Sequence, residues 1–407
     1  MTPAAATAEA AARRSYGKLV AILAARTGDV AGAEDALSAA FGSALAQWPA
    51  RGVPGNPEAW LLTVARRRQV DDVRRSRLDD EATGHFMLLE ELAEPADANA
   101  LPDRRLELLF VCAHPGIEAA ARAPLMLQTV LGFDAGTIAS AFLVAPAAMG
   151  QRLVRAKNKI RQAGIGFHVP AVAELPVRLD AVLDAVYAAY AEGWSDAEEA
   201  DPRRRNLAEE AIFLGRLLVA LLPQEPEALG LLALMLHAHA RRAARRNPAG
   251  DYVPIADQDT SLWDVATIEE AESLLHDACA LGRMGRFQLE AALQSAHSVR
   301  RTGAPVPAAA IVRLYDALLE ITGSPVTALN RAVALADIEG APAALAALDA
   351  LAPDARLRDY QPYWAARAEL LARCGAREQA REAYGRAIGL ERDPAVRRFL
   401  QGRAASV

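Results

Sequence analysis

The spacing of apolar residues is the feature that most constrains the fold of this chain. No stretch alternates Val, Ile or Thr with polar residues for long enough to form a sheet, and apolar residues recur instead with the period of a helix. Hydrophobic residues make up 52% of the 407 positions, whereas aromatic residues make up only 5%. Because alanine dominates the apolar set, helices can pack closely on small side chains. We therefore predict an all-α protein.

Charge divides the chain into parts. Residues 51–77 carry seven arginines against three acids, whereas residues 79–107 carry nine acids against two arginines. The acidic stretch predicts a linker, and a Gly- and Pro-bearing segment near residue 170 predicts the end of the helical block that follows it. The predicted parts are a first domain (1–78), an acidic linker (79–101), a second domain (102–170) and a helical extension (171–407).

The segment Gly150–Gly164 concentrates positive charge, with five cations and no acid in a chain whose formal net charge is −6. On a helix, four apolar residues would form one stripe at intervals of four, three and four. These residues are Met149, Leu153, Ala156 and Ile160. Arg152, Arg155 and Lys159 would form a second stripe, and Pro146 suits the first turn. The pattern predicts an amphipathic helix with one buried face and one cationic face.

A shorter amphipathic helix is predicted just upstream, in Phe133–Val144, with Asp134 as its cap. Its expected inward residues are Ile138, Ala141 and Phe142. A short helix, a turn and a cationic helix predict a helix-turn-helix motif, whose second helix enters the major groove of DNA. Cations there would neutralise phosphates or read guanine, and Gln151 would read adenine. A solvated cationic face that binds nothing is the alternative.

Two helices are predicted in the first domain. The first has apolar residues at steps of about four, which predict one buried face, and it ends at Trp48–Pro49. That face consists of Ala33, Leu37, Phe41, Leu45 and Trp48. The second helix has Trp60, Leu61 and Val64 inward, and arginines crowd its later turns. The arginines are Arg66, Arg67, Arg68, Arg74 and Arg75. Trp60 is either a core residue or a platform on which an unpaired base stacks.

The extension contains a repeat signal. Small and large apolar residues near its end have the spacing of one tetratricopeptide-type helix pair, a repeat of roughly 34 residues. They are Trp364, Ala368, Leu371, Gly375, Ala380, Tyr384, Ala387 and Ile388. A weaker copy lies upstream, with Gly340 in the place of Gly375. Two copies predict a tetratricopeptide-like helical domain, in which small residues lie where helices cross.

Two regions resemble extracytoplasmic-function RNA polymerase sigma factors. In residues 16–78 the resemblance lies in "GDVAGAEDALSAAF" and "WPARGVPGNPEAWLLTVARRRQVDDVRR". In residues 102–170 it lies in "LLFVCAHP" and "FLVAPAAMGQRLVRAKNKIRQAGI", which are similar to one subgroup. That subgroup has a long C-terminal extension with tetratricopeptide-like repeats. "DQDTSLWD" and "LYDALLEITGSPVTALNRAVALA" are similar to that extension.

The resemblance implies two small helical sigma-type domains, the second with a helix-turn-helix, followed by a tetratricopeptide-like domain that regulates them, alone or with a protein partner. The helix with Ala33–Trp48 would bind the coiled-coil clamp of core RNA polymerase, and its implied contacts are Glu34, Asp35, Phe41 and Trp48. The helix with Arg66–Arg75 would engage the melted minus-ten element, and the helix Pro146–Arg161 would read the minus-thirty-five element. The implied contacts to promoter DNA are Arg66, Arg67, Arg68, Arg74, Arg75, Gln151, Arg152, Arg155, Lys157 and Lys159.

The sequence favours no catalytic, metal or cofactor site, so we do not expect an enzyme. His237 and His239 are two positions apart and point to different faces of a helix, which does not suit chelation. Cys112 and His114 lie in an apolar run, where packing is the expected role. The acidic loop Asp257–Asp264 is expected to cap helices or to bridge repeats rather than to supply a pair of catalytic carboxylates.

The sequence also indicates a location. The three cysteines lie far apart, the N-terminal residues do not resemble a secretion signal, and the apolar runs are too short to cross a bilayer. We therefore expect a cytoplasmic protein without a membrane partner.

Two classes of function stay open. The first class is a sigma factor that directs core polymerase to promoters. The second is a helical scaffold or regulator that no longer initiates transcription, which Ser38–Ala39 favours because many relatives carry Gln-Glu there.

Overall fold

The computed structural model describes residues 3–76, 103–142, 144–171, 174–194 and 202–407. Within these ranges it contains eighteen α-helices and no strand, which confirms the all-α prediction. The described residues divide into two compact units, the first ending at Ala211 and the second beginning at Ile212. No helix in the described ranges combines the length and the apolar composition needed to cross a membrane.

The first unit contains eight helices and the start of a ninth. They are α1 (Pro3–Thr27), α2 (Val30–Arg51), α3 (Pro57–Ser76), α4 (Arg105–Cys112), α5 (Ala119–Leu131), α6 (Ala135–Ala141), α7 (Pro146–Gln162), α8 (Leu175–Trp194) and the beginning of α9 (Pro202–Leu221). Helices α1, α2 and α3 pack on one another through leucines with no exposed surface. These leucines are Leu19, Leu23, Leu37, Leu61 and Leu62.

The buried face of α2 differs from the predicted one at Leu45, which is 51% exposed. A step of four residues advances roughly 40° beyond a full helical turn, so a row that starts at Ala33 and keeps to steps of four leaves the buried face by Leu45. The buried row follows steps of four, three, four and four instead. It consists of Ala33, Leu37, Ala40, Ala44 and Trp48.

The end of α2 also differs from the prediction, because the helix continues through Pro49 to Arg51. Proline lacks an N–H group and is tolerated here because it lies in the last turn, where few bonds follow it. Gly52, at φ 83°, closes the helix by donating its N–H to the Trp48 carbonyl at 3.0 Å. Asn56 then accepts the N–H of Ala59 at 3.0 Å and starts α3.

Helix α5 is the centre of the second half of the first unit, where it contacts α4, α6, α7 and α8. Helix α4 is buried on every side from Leu108 to Cys112. Helix α8 lies in the sequence predicted to begin the extension, yet it packs on α4 and α5. The Arg178 guanidinium of α8 donates to the Phe110 carbonyl at 2.9 Å. The first unit therefore includes residues beyond the predicted boundary at 170.

Helix α1 joins the two halves of the first unit where it crosses α5. A Cβ atom placed on Gly17 would lie 2.2 Å from the carbonyl oxygen of Val130, so the two backbones are in direct contact. The ring of Tyr16 packs beside Gly132, which ends α5 in the left-handed conformation at φ 76°. A side chain at position 17 would force the helices apart, so this crossing depends on glycine.

The second unit is an array in which successive helices pack on their neighbours. After the end of α9 they are α10 (Pro226–Ala240), α11 (Val265–Ala280), α12 (Arg286–Ser298), α13 (Ala308–Thr322), α14 (Pro325–Leu335), α15 (Ala341–Asp349), α16 (Gln361–Arg373), α17 (Arg377–Leu390) and α18 (Pro394–Ala405). Gly375, at φ 79°, separates α16 from α17, and Gly340, at φ 86°, precedes α15. Helix pairs thus lie where the repeat signal predicted them. The buried residues shared by α16 and α17 are Ala368, Leu371, Ala380, Ala383, Tyr384 and Ala387.

Candidate nucleic-acid interface

Helices α6 and α7 form as the sequence predicted. Asp134 caps α6 by accepting the N–H of Thr137 at 2.9 Å, and Pro146 lies in the first turn of α7. The apolar stripe of α7 is buried as predicted, at Met149, Leu153, Ala156 and Ile160. Ile138 of α6 is also buried, Phe142 is half-buried, and the side chain of Ala141 lies outside the described residues. The packing fixes which face of α7 is left for other contacts.

The exposed face of α7 carries Gln151, Arg155 and Lys159 at intervals of four residues. Within the part of the chain that the structure describes, Arg155 and Lys159 form no ion pair. Arg152 lies at the edge of this face, where it is half-buried and its guanidinium donates to the Ala120 carbonyl at 3.4 Å. We name the surface formed by Gln151, Arg155 and Lys159 the outer face of α7. Its cations are free to contact phosphates or base edges.

Two further cations of α7 point instead toward α2. The ammonium of Lys157 pairs with the Glu34 carboxylate, and these side chains are only 11% and 10% exposed. One turn later, a guanidinium nitrogen of Arg161 lies 3.6 Å from a carboxylate oxygen of Asp29. Lys157 was predicted to contact DNA and Glu34 to contact polymerase. In this structure they contact each other.

Burial dominates the electrostatics around Glu34. It raises the pKa of the Glu34 carboxyl, Lys157 opposes that shift, and Asp35 adds to it. Among the described residues, the Oε1 atom of Glu34 has no hydrogen-bond partner. Burial, with the charges of Glu34 and Asp35, also raises the pKa of Tyr16. Burial raises the pKa of the Cys112 thiol to about 12, and Glu34 and Lys157 both act on it. The Cys112 sulfur lies 3.3 Å from the hydroxyl oxygen of Thr129 in α5.

Helix α3 presents part of its predicted basic surface. Arg67 and Arg68 are exposed, whereas Arg66 is half-buried. Burial lowers the pKa of the Arg66 guanidinium, and the charge of Arg26 adds to that effect. Arg74 and Arg75 lie in the last turns of α3, but their side chains are outside the described residues. Two of the five predicted arginines are thus exposed, and their contact with DNA stays a prediction.

The four residues implied to bind polymerase do not form one exposed surface. Asp35 is exposed, Phe41 is half-buried, and Glu34 and Trp48 are buried. Trp48 packs edge-on against Trp60, with ring centroids 5.5 Å apart and planes at 64°. An aromatic pair of this geometry stabilises a core. It favours the core role for Trp60 over a base-stacking role, and it leaves Asp35 as the accessible member of the polymerase set.

The second unit holds a buried polar cluster around His237, which has no exposed surface. Its Nδ1 lies 3.4 Å from the Ser298 hydroxyl, and its Nε2 lies 3.6 Å from Glu272. The Glu272 side chain is 44% exposed and accepts a hydrogen bond from Ser295, so solvent partly screens its charge. Burial, with the charge of Arg241, therefore lowers the pKa of His237 to about 4. Burial and Arg241 likewise lower the pKa of His297 to about 4.

Two aspartates of the acidic loop before α11 cap helices, which is one of the two structural roles expected for this loop. Asp259 accepts the N–H of Ser261 at 2.9 Å and starts a short 3-10 turn. Asp264 accepts the N–H of Thr267 at 3.2 Å and starts α11. Hydrogen bonds of this kind stabilise the carboxylate form, which is why the pKa of each carboxyl is lowered.

Sequence reasoning missed two long-range contacts of the first unit. Asp29 and Arg161 contact across 132 positions, which no local pattern indicates. Gly17 carried a usable signal, because glycine in the middle of a helix is unfavourable unless another backbone comes close. The sequence does not indicate which backbone approaches Gly17. The structure shows that it is the backbone of Val130, where α1 packs on α5.

Comparison with known proteins identifies the family to which the chain belongs. Residues 12–78 match Sigma-70 region 2, which supports the resemblance inferred for residues 16–78. Residues 178–279 match DUF6596, a family of unknown function. An uncharacterized protein of Rhizobium meliloti (strain 1021) is 38% identical over 364 residues, which cover 88% of this chain and 86% of that protein. No solved structure matches significantly. The chain therefore belongs to the family of this Rhizobium meliloti protein, and its match to Sigma-70 region 2 supports a place among the sigma factors.

Proposed function

We propose that the chain is an alternative sigma factor of the extracytoplasmic-function type, which directs core RNA polymerase to specific promoters in the cytoplasm. The observation that carries the proposal is the match of residues 12–78 to Sigma-70 region 2. The outer face of α7 supports it, since three exposed side chains that can contact phosphates and base edges lie in one line.

We assign the proposed roles to exposed residues of the first unit. Helix α7 would read the minus-thirty-five element as the second helix of a helix-turn-helix, with Arg155 and Gln151 on bases and Lys159 on phosphate. Arg67 and Arg68 of α3 would hold the melted minus-ten strand. Asp35 of α2 would contact core polymerase. The second unit would act as a tetratricopeptide-like regulatory domain, which its array of neighbouring helix pairs supports.

Run-off transcription with purified core polymerase tests the proposal. The full chain should yield transcripts from a subset of genomic promoter templates, and core polymerase alone should not. Asp35→Lys should weaken binding to core polymerase without unfolding the chain, because Asp35 is exposed. Glu118→Lys is the matched control, since Glu118 is an exposed acid of the same unit with no proposed role. Failure of the full chain to bind core polymerase at micromolar concentration would rule out a role in initiation.

A second candidate function is a helical regulator that retains sigma-type domains but does not initiate. The pairing of Lys157 with Glu34 favours it, because one predicted DNA contact and one predicted polymerase contact are occupied by each other. The transcription assay separates the two candidates. A regulator would bind core polymerase or another sigma factor's complex and change its output, without producing transcripts of its own.

A further inference from the structure

We propose that the second unit binds a small phosphate-bearing anion at a group of basic side chains, where α10, α12 and three short 3-10 turns meet. The turns are Arg242–Ala244, Thr260–Leu262 and Val299–Thr302. The side chains, which we name the basic cluster, are His237, Arg241, His297 and Arg300. The binding site is independent of the proposed function, and only its effect on transcription rests on that function.

The fold brings the basic cluster together from two separate parts of the chain. The turn after α10 contacts the turn before α11, and that second turn contacts the turn after α12. The backbone N–H of Asp264 donates to the Ala240 carbonyl at 2.9 Å, which joins the second turn to the end of α10. Gly303, at φ 71°, closes the third turn by donating its N–H to the Arg300 carbonyl at 3.1 Å. The backbone around the cluster is therefore held by its own hydrogen bonds.

Two contacts between α10 and α12 place the inner half of the cluster. His237 and Arg241 are four residues apart at the end of α10, and Gln294 and Ser298 are four residues apart on α12, so each pair lies on one face. His237 Nδ1 lies 3.4 Å from the Ser298 hydroxyl, and the Arg241 guanidinium donates to the side-chain oxygen of Gln294. The Arg241 Cζ also lies 5.7 Å from the ring centroid of the buried Trp263. These contacts fix a positive charge below the surface.

His297 and Arg300 form the outer half of the cluster. Gln294 and His297 are three residues apart on α12, so His297 lies on the face that receives Arg241. The side chains of His297 and Arg300 are half-buried, whereas His237 has no exposed surface. Burial and the charges of Arg241 and Arg300 lower the pKa of His297 to about 4. Positive charge therefore dominates at this imidazole, and the cluster is accessible from the His297 side.

Arg300 lacks a counter-ion in the part of the chain that the structure describes. Its guanidinium forms no ion pair there, and its Nε atom is buried without a hydrogen-bond partner. A partly buried cation destabilises a folded unit unless an anion offsets it. Glu272 faces the cluster at His237, but it is 44% exposed and accepts a hydrogen bond from Ser295. An external anion would supply the missing charge at Arg300.

The donors of the cluster favour a phosphate group on a small molecule. Guanidinium groups bind phosphate oxygens through paired N–H donors, and a neutral imidazole adds one N–H. Two fixed positive charges match a phosphate monoester, which carries a charge of about −1.5 to −2 at pH 7. A nucleic-acid backbone fits less well, because Arg241 is only 7% exposed and cannot extend to a phosphate outside the unit.

Titration of the full-length chain with inorganic phosphate tests the site, at an ionic strength held constant with sodium chloride. Isothermal titration calorimetry should show saturable binding. Because a ligand stabilises the folded state that binds it, hydrogen exchange should slow in peptides that cover residues 230–246 and 288–303, and not in peptides of α16. Succinate and a duplex DNA of random sequence are the competing probes. Tighter binding of succinate, or protection of these peptides by DNA and not by phosphate, overturns the proposal.

Arg300→Gln is the decisive variant and Arg313→Gln is its matched control. Arg313 is an exposed arginine of α13 in the same unit and has no proposed role. Arg300→Gln should weaken phosphate binding by about tenfold or more, as expected for the loss of a hydrogen bond to a charged group. It should also raise the Tm of the unliganded second unit by about 1–3 °C, because it removes a cation without a counter-ion. Arg313→Gln should change neither value.

The rise in Tm separates a binding role of Arg300 from a structural one. A structural role would lower the Tm of Arg300→Gln, and that result overturns the proposal. Equal phosphate binding by the wild type and Arg300→Gln overturns it as well, as does a wild-type chain that shows no saturable binding. All of these measurements use the free chain without polymerase, so they are distinct from a failure of the proposed function, which a lack of transcripts would show.

Discussion

Replacing Lys157 by methionine should destabilise the first unit in a pH-dependent way. The substitution leaves the buried Glu34 carboxyl without its cation, and Oε1 of Glu34 has no hydrogen-bond partner among the described residues to compensate. Breaking a buried pair by removing one partner typically costs about 3–5 kcal/mol. Protonation limits this loss, because the carboxyl can take up a proton instead of remaining buried and charged.

The upper limit of this loss in stability follows from the ordinary pKa of a glutamate carboxyl, 4.5. Protonating such a group at pH 7 costs about 3.4 kcal/mol, and at pH 5 about 0.7 kcal/mol. Burial already raises the pKa of Glu34 and Lys157 opposes that shift, so removing Lys157 raises the pKa further. The folded unit then binds the proton more tightly than the unfolded chain, and its stability falls as the pH rises. We expect a loss of about 2–3 kcal/mol at pH 7 and below about 1 kcal/mol at pH 5.

Hydrogen exchange of the full-length chain measures this loss through peptides of α2 and α7, after correction for intrinsic exchange rates at each pH. Arg155→Met is the matched control, since Arg155 is exposed on the same helix and its loss should stay within about 0.5 kcal/mol. The double variant Glu34→Gln, Lys157→Met should recover most of the stability, because no buried charge remains. An equal loss at pH 5 and pH 7 would refute the reasoning, since it would assign the effect to the lysine stem rather than to its charge.

Three further predictions concern α7 and the second unit. Lys159→Ala should weaken binding to all DNA sequences and reduce the salt slope by about 0.9, whereas Arg155→Ala should cost about 1–3 kcal/mol at one preferred base, both measured by fluorescence anisotropy in a salt series. Leu153→Ala should destabilise the first unit by about 2–5 kcal/mol in chemical denaturation, while the exposed Val154→Ala should have little effect. His237 and His297 stay neutral when folded, with pKa values of about 4 against 6.5, so the unfolded state binds more protons below pH 6.5. Stability present above pH 6.5 should therefore be lost toward pH 4, by up to about 3 kcal/mol for each histidine.

Each of these predictions has an outcome that contradicts it. Equal salt slopes for the wild type and Lys159→Ala would mean that the outer face of α7 does not contact phosphates. A loss in Val154→Ala as large as that in Leu153→Ala would mean that the buried stripe is misassigned. The histidine prediction is checked with His237→Gln, which should flatten the dependence of second-unit stability on pH between 6.5 and 4. An unchanged pH dependence in that variant would place the titrating group elsewhere.

Local patterns in the sequence determined most of the helices and caps. The stripe Met149, Leu153, Ala156 and Ile160 is buried as its spacing predicted, because side chains three and four apart share one face whatever packs on it. Asp134 and Asp264 start their helices because a carboxylate can accept an N–H group two or three residues ahead. Helices α16 and α17 likewise pack on each other through residues that are close in the sequence. Such features depend on contacts between positions close in the sequence.

Only the tertiary structure decided which cations of α7 are available. The sequence pattern does not distinguish Lys157 from Lys159, since both are cations of the same helix. In the structure Lys157 is buried against Glu34, 123 positions away, whereas Lys159 is exposed. The exposure of Leu45 is different in origin, because the helical period alone carries a row of steps of four away from the buried face of α2. The contact of Gly17 with Val130 joins segments 113 positions apart. Long-range pairings of this kind leave no periodic trace in the sequence, because they depend on how whole helices meet and not on the order of residues within one.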